Sequence, residues 1–510
     1  MLSKIYSCSL VGVEAKKVIV EVNLGKGIPS FNIVGLPETS IKESKERVET
    51  AIRNSGFVFP NKRITVNLAP ADIKKEGTSL DLPIAIGILQ ASGQFPLNNM
   101  QDFIIIGELA LDGEIRGVKG ALSSALLAKN ENMKGIILPK KNAIEGALID
   151  IPVYPVIDLK EIVQIFENGL PEPFTFDRDE IFRVSSFYDM DFSDVKGQEL
   201  AKRGILIAAS GSHNILMIGP PGSGKTMLAR RIPTILPDLE LEEAIECTKI
   251  YSAIGYLPPD TPIVSKRQFR APHSTISYAG LIGGGNPPRP GEVSLAHNGV
   301  LFLDEFPEFK RDALESLRQP LEDGFLTVSR ANRASIFPAK FMLVAAMNPC
   351  PCGYFGDPYV QCTCSPGQIE RYISKISGPL LDRIDIHIEV PRVKFEDLKG
   401  NIPSMTSKEM KEKVLKAREI QKERYKGTNI RNNASITPQY MKKFCKVDSK
   451  SEEILENAMK KFGFSARSYD RILKVSRTIA DVEGSEDIKV EHILEAIQLR
   501  TLDKKIWQRM

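Results

Sequence analysis

The chain has 510 residues, a formal charge of +4, 42% apolar and 26% charged residues, a balance that excludes collagen-like, low-complexity and wholly disordered proteins and predicts about three or four domains. The small positive excess permits a nucleic-acid partner without arguing for one, so local clusters have to decide. No stretch approaches a membrane span and no basic-then-apolar leader opens the chain, which predicts no membrane partner and no signal peptide; seven cysteines in such a chain then predict a reducing, cytoplasmic setting.

Residues 1–167 predict a mixed α/β domain. The runs Lys17–Asn23, Arg63–Leu68 and Phe103–Ile106, β-branched and bounded by Gly and Pro, read as strands, and the charged segment Ser40–Asn54 has the 3.6-residue period of a helix. No phosphate loop occurs here. The stretches Gly77-Thr-Ser-Leu-Asp-Leu-Pro-Ile-Ala85, Gly107-Glu-Leu-Ala-Leu-Asp-Gly-Glu-Ile-Arg-Gly117 and Gly135-Ile-Ile-Leu-Pro139 resemble the Lon-protease-like domain, with its fold of the ribosomal-protein-S5 type. That resemblance raises a Ser-Lys protease using Ser79, but it places Asp81 near the nucleophile position and Leu122 where the family carries its catalytic lysine. A serine without its base is not activated, so the domain is expected to be a non-catalytic adaptor. Residues 168–190 turn rich in Pro, acids and aromatics without a sustained period, and read as a linker.

A second domain is expected over 191–395. The apolar run Ile215–Ile218 is followed by Gly219-Pro220-Pro221-Gly222-Ser223-Gly224-Lys225-Thr226 and then by the helix-like Met227–Arg231. In a strand-loop-helix setting, glycines allow successive N–H groups to turn inward around a phosphate at a helix start. Lys225 would reach the β- and γ-phosphates of ATP, and the Thr226 hydroxyl would bind Mg²⁺. Downstream, Gly299-Val-Leu-Phe-Leu-Asp-Glu-Phe306 reads as an apolar strand ending in two carboxylates: Asp304 suits the Mg²⁺ shell, Glu305 polarisation of the attacking water. A further strand ends in Asn348, able to orient water or the γ-phosphate, though an Asn there also forms turns.

This order of phosphate loop, acidic strand and Asn-tipped strand resembles the AAA+ ATPases. The resemblance extends to Ser377–Asp385, where Arg383 matches the arginine finger, and to Phe464–Arg471, where Arg467 matches the second sensor of the lid helices. A finger acts on a neighbour's nucleotide, so the resemblance implies a ring, a homo-hexamer; the alternative for Arg383 is an ion pair with Asp382 or Asp385. Arg270–Gly291, dense in Gly and Pro, and Phe325–Phe337, a hairpin pattern with Arg330 and Arg333 at its tip, resemble the helix-2 insert and pre-sensor hairpin of magnesium chelatase ATPase subunits and helicase-like AAA+ proteins. No acid occurs from Phe325 to Lys340, so the tip suits DNA phosphates as well as a solvated turn.

Cys350, Cys352, Cys362 and Cys364 follow Asn348 directly. They read as a structural Zn²⁺ site, with redox-active thiols or a coincidental loop as the alternatives. Residues 396–510 are helical by pattern, with apolar stripes such as Ile472, Leu473 and Ile479, or Val490, Ile493, Leu494 and Ile497, that suit a bundle core.

The predicted fold class is therefore multidomain α/β: an S5/Lon-like α+β N-terminal domain, an AAA+ parallel-sheet core and an all-α lid. In that order the three parts resemble the YifB/ComM family of magnesium-chelatase-like ATPases over the whole chain. The resemblance implies a hexameric motor using ATP and Mg²⁺ on single-stranded or branched DNA, driving branch migration in natural transformation alongside recombination and competence proteins. The alternative is a chelatase-type or protein-remodelling ATPase that does not act on DNA.

Overall fold

In the computed structural model, which describes residues 2–94, 100–177, 188–257, 263–330, 333–393 and 404–500, the chain opens with a strand that sequence patterning does not reveal. β1 (Leu2–Val11) and β2 (Glu14–Gly25) form an antiparallel hairpin, and β3 (Ser30–Val34) and β4 (Arg63–Ala69) complete a sheet ordered β1-β2-β4-β3. The inner face of β1 includes Ser3, Ser7 and Ser9, all buried. Ser7 Oγ donates to the Ile105 carbonyl at 2.7 Å, so hydrogen bonding substitutes for apolar contact and the two-residue period disappears from the sequence.

β5 (Phe103–Ile105), the short hairpin β6 (Glu108–Leu109) and β7 (Ile115–Arg116), β8 (Gly135–Pro139) and β9 (Val153–Val156) follow, with β5, β8 and β9 in one parallel sheet. Helices Ser44–Asn54, Asp81–Ser92 and Ala121–Asn130 pack on these strands. Helix Leu159–Asn168 starts where the Asp158 carboxylate accepts the Lys160 and Glu161 N–H groups, each at 2.8 Å. The first part of the expected linker lies on this lobe. Phe174 and Phe176 stack with centroids 6.4 Å apart, and the Phe174 N–H donates to the Val153 carbonyl at 2.9 Å. Its aromatics are thus packing groups; residues 178–187 lie outside the described residues.

The middle of the chain builds a five-stranded parallel sheet from β10 (Ile215–Ile218), β11 (Phe269–Arg270), β14 (Val300–Leu303), β17 (Met342–Met347) and β18 (Ile386–Glu389), in the order β11-β14-β17-β10-β18. Between β11 and β14 the chain makes the helix Tyr278–Ile282 and a two-strand ribbon, β12 (Gly283–Gly284) with β13 (Arg289–Pro290). β15 (Phe325–Arg330) and β16 (Arg333–Pro338) form a separate antiparallel hairpin. Parallel strands buried on both faces read as continuous apolar runs. Ile215, Met217, Val300 and Phe302 enter one core, while Leu216, Ile218, Leu301 and Leu303 enter another across the sheet.

Helices Ser407–Arg424, Pro438–Phe444, Ser449–Phe462, Ala466–Val482 and Val490–Gln498 form the C-terminal part. Thr406 opens the first with a capping box completed by Glu409. Ile472, Leu473, Ile479, Ile493 and Ile497 are buried as the stripes predict, but in one cluster with Ile386 and Ile388 of the sheet and Ile205 of helix Glu199–Gly211. The helical part therefore shares its core with the sheet. Leu494, placed in a stripe by the sequence, is instead exposed, because Ile493 and Ile497 already fill the i, i+4 face. The expected mixed α/β class with a parallel-sheet core and a helical C-terminal part is borne out. Among the described residues no helix is long and apolar enough to cross a membrane.

Candidate functional site

The carboxyl ends of β10, β14 and β17 converge because these strands are adjacent and parallel, with β17 between the other two. The loop from Gly219 to Gly224 leaves β10 and enters helix Lys225–Ile235. Gly222 and Gly224 have φ of +73° and +93°, and a Cβ on either would meet nothing within 4 Å. The left-handed backbone requires glycine while the space beside it stays open, the shape of an anion cradle. Ser223 Oγ is buried and has no hydrogen-bond partner among the described residues, a group of the kind a phosphate satisfies. Gly219 is held from behind, since a Cβ there would come within 2.1 Å of the Val390 carbonyl.

Lys225 Nζ donates to the Gly219 carbonyl at 2.7 Å, to that of Pro220 at 2.9 Å and to Asn348 Oδ1 at 3.2 Å. Burial pushes its ammonium below the usual lysine range, against the pull of Asp304. Thr226 Oγ1 donates to Asp304 Oδ2 at 2.7 Å, so the hydroxyl and carboxylate expected to share Mg²⁺ already touch. Glu305 is exposed beside them at φ +52°, with its N–H donating to Asp304 Oδ1 at 2.9 Å. A glutamate in the left-handed region is backbone strain of the kind found at functional positions. These residues fit a Mg²⁺-nucleotide by donor chemistry: backbone N–H groups, an ammonium, a hydroxyl and two carboxylates.

Patterning alone does not find Gln198, whose Nε2 donates to the Ser223 carbonyl at 3.1 Å and the Pro391 carbonyl at 2.5 Å, tying the loop to the start of the domain. The same holds for Glu322. Arg383 is nine-tenths buried, and its guanidinium donates to the Pro379 carbonyl at 2.8 Å and pairs with Glu322. Exposed Arg467 lies 3.8 Å from the same carboxylate. The Arg383 pair thus goes to Glu322 rather than to Asp382 or Asp385. Asp385 instead accepts the Asn214 N–H at 3.0 Å, pairs with Arg471 of the C-terminal helices and lies 3.5 Å from His213. Burial works against its charge, yet Arg471, His213 and the Asn214 N–H together hold its carboxyl well below the usual range.

Arg330 and Arg333 are backbone register partners at the end of the β15–β16 ladder. The tip residues 331 and 332, and the side chains of both arginines, lie outside the described residues. The N-terminal lobe abuts the root of this hairpin: Val13, in the β1–β2 turn, is buried in one cluster with Leu326, Val328 and Phe337. Gly120 N–H donates to Ser252 Oγ at 2.9 Å, the Ser252 hydroxyl bonds buried Glu145, and Glu14 pairs with Lys249. Within that lobe Asp81 is fully buried and takes Arg47 Nε at 2.7 Å, together with Ser44. Leu122 is buried in the core, its N–H donating to Glu145 at 2.8 Å. Ser79 is half-buried, with its carbonyl accepting the Gly107 N–H at 3.0 Å.

A phosphate-type loop on the second strand from the edge of a five-stranded parallel sheet, with acid and Asn tips on the next strands, a short insert, a hairpin and a helical lid, defines a magnesium-chelatase-type AAA+ ATPase. Family profiles described as "Magnesium chelatase, subunit ChlI", "Subunit ChlI of Mg-chelatase" and "Magnesium chelatase, subunit ChlI C-terminal" match residues 191–398, 20–142 and 404–500. The chain is 46% identical to the competence protein ComM of Haemophilus influenzae and 44% to the protein YifB of Escherichia coli. These matches cover 98% and 99% of this chain, and 98% of each relative. It belongs to the ComM/YifB family of magnesium-chelatase-like AAA+ proteins. By contrast, the magnesium-chelatase 38 kDa subunit of Rhodobacter capsulatus is 26% identical over 31% of this chain and 50% of its own length.

Proposed function

We propose that the chain is a ring-forming ATPase, a homo-hexamer, that translocates on single-stranded or branched DNA and drives branch migration in the recombination of incoming DNA. The observation carrying the ATPase part is the convergence of Lys225, Thr226, Asp304, Glu305 and Asn348 on one sheet edge. Gly219, Pro220, Pro221, Gly222, Ser223 and Gly224 hold the phosphates, Lys225 neutralises them, and Thr226 and Asp304 hold Mg²⁺. The metal-bound nucleotide supplies the phosphoryl group and its leaving group; Glu305 holds and polarises the attacking water, and Asn348 orients it. Arg383 stabilises transition-state charge on a neighbour's nucleotide, and Arg467 reports on it from the helical part.

The DNA part rests on the acid-free β15–β16 hairpin ending in opposed arginines, which suits backbone phosphates and carries no base readout. The name of the Haemophilus relative, a competence protein at 46% identity, supports a place in transformation. The N-terminal lobe acts as an adaptor holding the hairpin root through Val13. The test compares ATP hydrolysis by wild type, Lys225→Ala and Glu305→Gln without DNA, with single strands and with a four-way junction, and follows branch migration of a labelled junction. Wild-type hydrolysis stimulated by DNA, with junction movement lost in both variants, is expected. Hydrolysis indifferent to every DNA would refute the DNA part and favour a chelatase-type or protein-remodelling ATPase.

A further inference from the structure

Directly after Asn348 the chain runs for fifteen residues, Cys350–Cys364, without helix or strand. A loop of that length inside a compact domain needs something to hold it. Its four thiols converge: Cys350 Sγ lies 3.3 Å from Cys352 Sγ and 3.7 Å from Cys362 Sγ, Cys352 and Cys362 are 3.5 Å apart, and all four sulfurs lie within 4.8 Å of one another. None of these separations is near a disulfide's ~2.05 Å, and all four cysteines are free. Tetrahedral Zn²⁺ with Zn–S bonds of ~2.3 Å sets its sulfurs about 3.8 Å apart; the separations among Cys350, Cys352 and Cys362 lie within about half an ångström of that, and Cys364 is within 4.8 Å of the other three.

Two backbone groups point at the sulfurs as they do around bound thiolates. Cys352 N–H donates to Cys364 Sγ at 3.4 Å and Phe355 N–H to Cys350 Sγ at 3.3 Å. The loop is also in contact with the phosphate loop. Gly353 has φ +88°, and a Cβ on it would come within 2.6 Å of Pro221 Cδ. Beyond the cluster, Asp357 accepts the Tyr359 and Val360 N–H groups at 2.8 and 3.0 Å and pairs with Arg392 at 3.0 Å, shortly after the β18 strand.

We propose that Cys350, Cys352, Cys362 and Cys364 bind one Zn²⁺ tetrahedrally, and that the ion clamps the Gly353 turn against Pro221, so that its occupancy sets nucleotide affinity. The second half rests on the nucleotide site proposed above; the first does not. The four sulfurs fill a tetrahedral shell, leaving no open position, so the ion is structural.

The full chain, purified under reducing conditions, is expected to carry about one zinc per chain by elemental analysis. The metal should be released on titration with a mercurial, and Co²⁺ loading should give thiolate-to-cobalt charge-transfer bands. Cys362→Ser should lower zinc to less than about a fifth of the wild-type content, four-thiolate closure being lost. Wild type that holds under about a tenth of an equivalent after incubation with equimolar Zn²⁺ would overturn the site, whatever the variant does. Binding of a fluorescent ADP is then compared before and after chelation, with zinc restored as the control. A loss of about tenfold that zinc reverses is expected for a clamp on the loop. Equal affinity in both states, with zinc present beforehand, overturns the clamp alone; absent ADP binding to the zinc-loaded chain overturns the nucleotide site and, with it, the clamp.

Discussion

Replacing Glu322 by Gln removes the carboxylate that Arg383 and Arg467 share. On the proposed reading Arg383 must leave Glu322 to reach a neighbour's nucleotide, so the pair adds to the barrier for hydrolysis. A hydrogen bond between charged groups contributes about 1.5–3 kcal/mol, and a fully exposed pair about 0.2–1. Here the Arg383 side chain is 10% exposed but Glu322 is 54% exposed, so solvent screening places this pair in between, at about 1–2 kcal/mol. Its hydrogen bond to Arg383 holds the Glu322 carboxyl below the usual range. Each 1.36 kcal/mol is tenfold in rate, so Glu322→Gln should raise kcat for ATP by roughly 5- to 30-fold. The assay is steady-state hydrolysis at saturating ATP, with light scattering to establish equal assembly, and Arg383→Ala as the slow reference. A Glu322→Gln rate equal to or below wild type in intact assemblies would refute the restraint and leave Glu322 as a positioning group for Arg383.

Asp385→Asn should lower the stability of the core and its helices by about 3–5 kcal/mol, as removing one partner from a buried pair does, because Arg471 would lose its carboxylate; urea unfolding followed by circular dichroism reads it. Since the Asp385 carboxyl is held below its usual value, its contribution is complete above the ordinary carboxylate range of about pH 4 and is lost as pH falls from there towards the folded value. The variant's acid unfolding should therefore be less steep below about pH 4 than that of wild type. Lys225→Ala should weaken ATP binding by roughly 10- to 150-fold, the range for losing one charge-assisted contact, while Glu305→Gln should retain ATP and lose at least about 100-fold in kcat; fluorescent-nucleotide titration separates the two. Val13→Asp buries a charge at the hairpin root and should abolish DNA stimulation while basal hydrolysis remains, measured with and without single strands.

Composition and spacing identified the phosphate loop, the acidic strand tip and Asn348, because these chemistries need particular residue types within a few positions of an apolar run. The apolar runs of β10 and β14 were legible as strands for the same reason, and the structure buries them on both faces, as continuous apolar strands in a parallel sheet require. β1 was not legible, because Ser3, Ser7 and Ser9 bury polar groups that only hydrogen bonds from distant residues make tolerable. Glu322, and the true partner of Asp385, escaped for a related reason: a carboxylate acquires its role from the arginine facing it, and Arg383 and Arg471 lie 61 and 86 residues away from these acids along the chain. The sequence by itself thus determined which residue types stand at the loop and strand tips of the proposed nucleotide site. Only tertiary structure decided which arginine each acid restrains, that the C-terminal helices share the sheet's core, that four thiols converge and that Gly353 sits against Pro221, because those outcomes depend on long-range packing that no local period encodes.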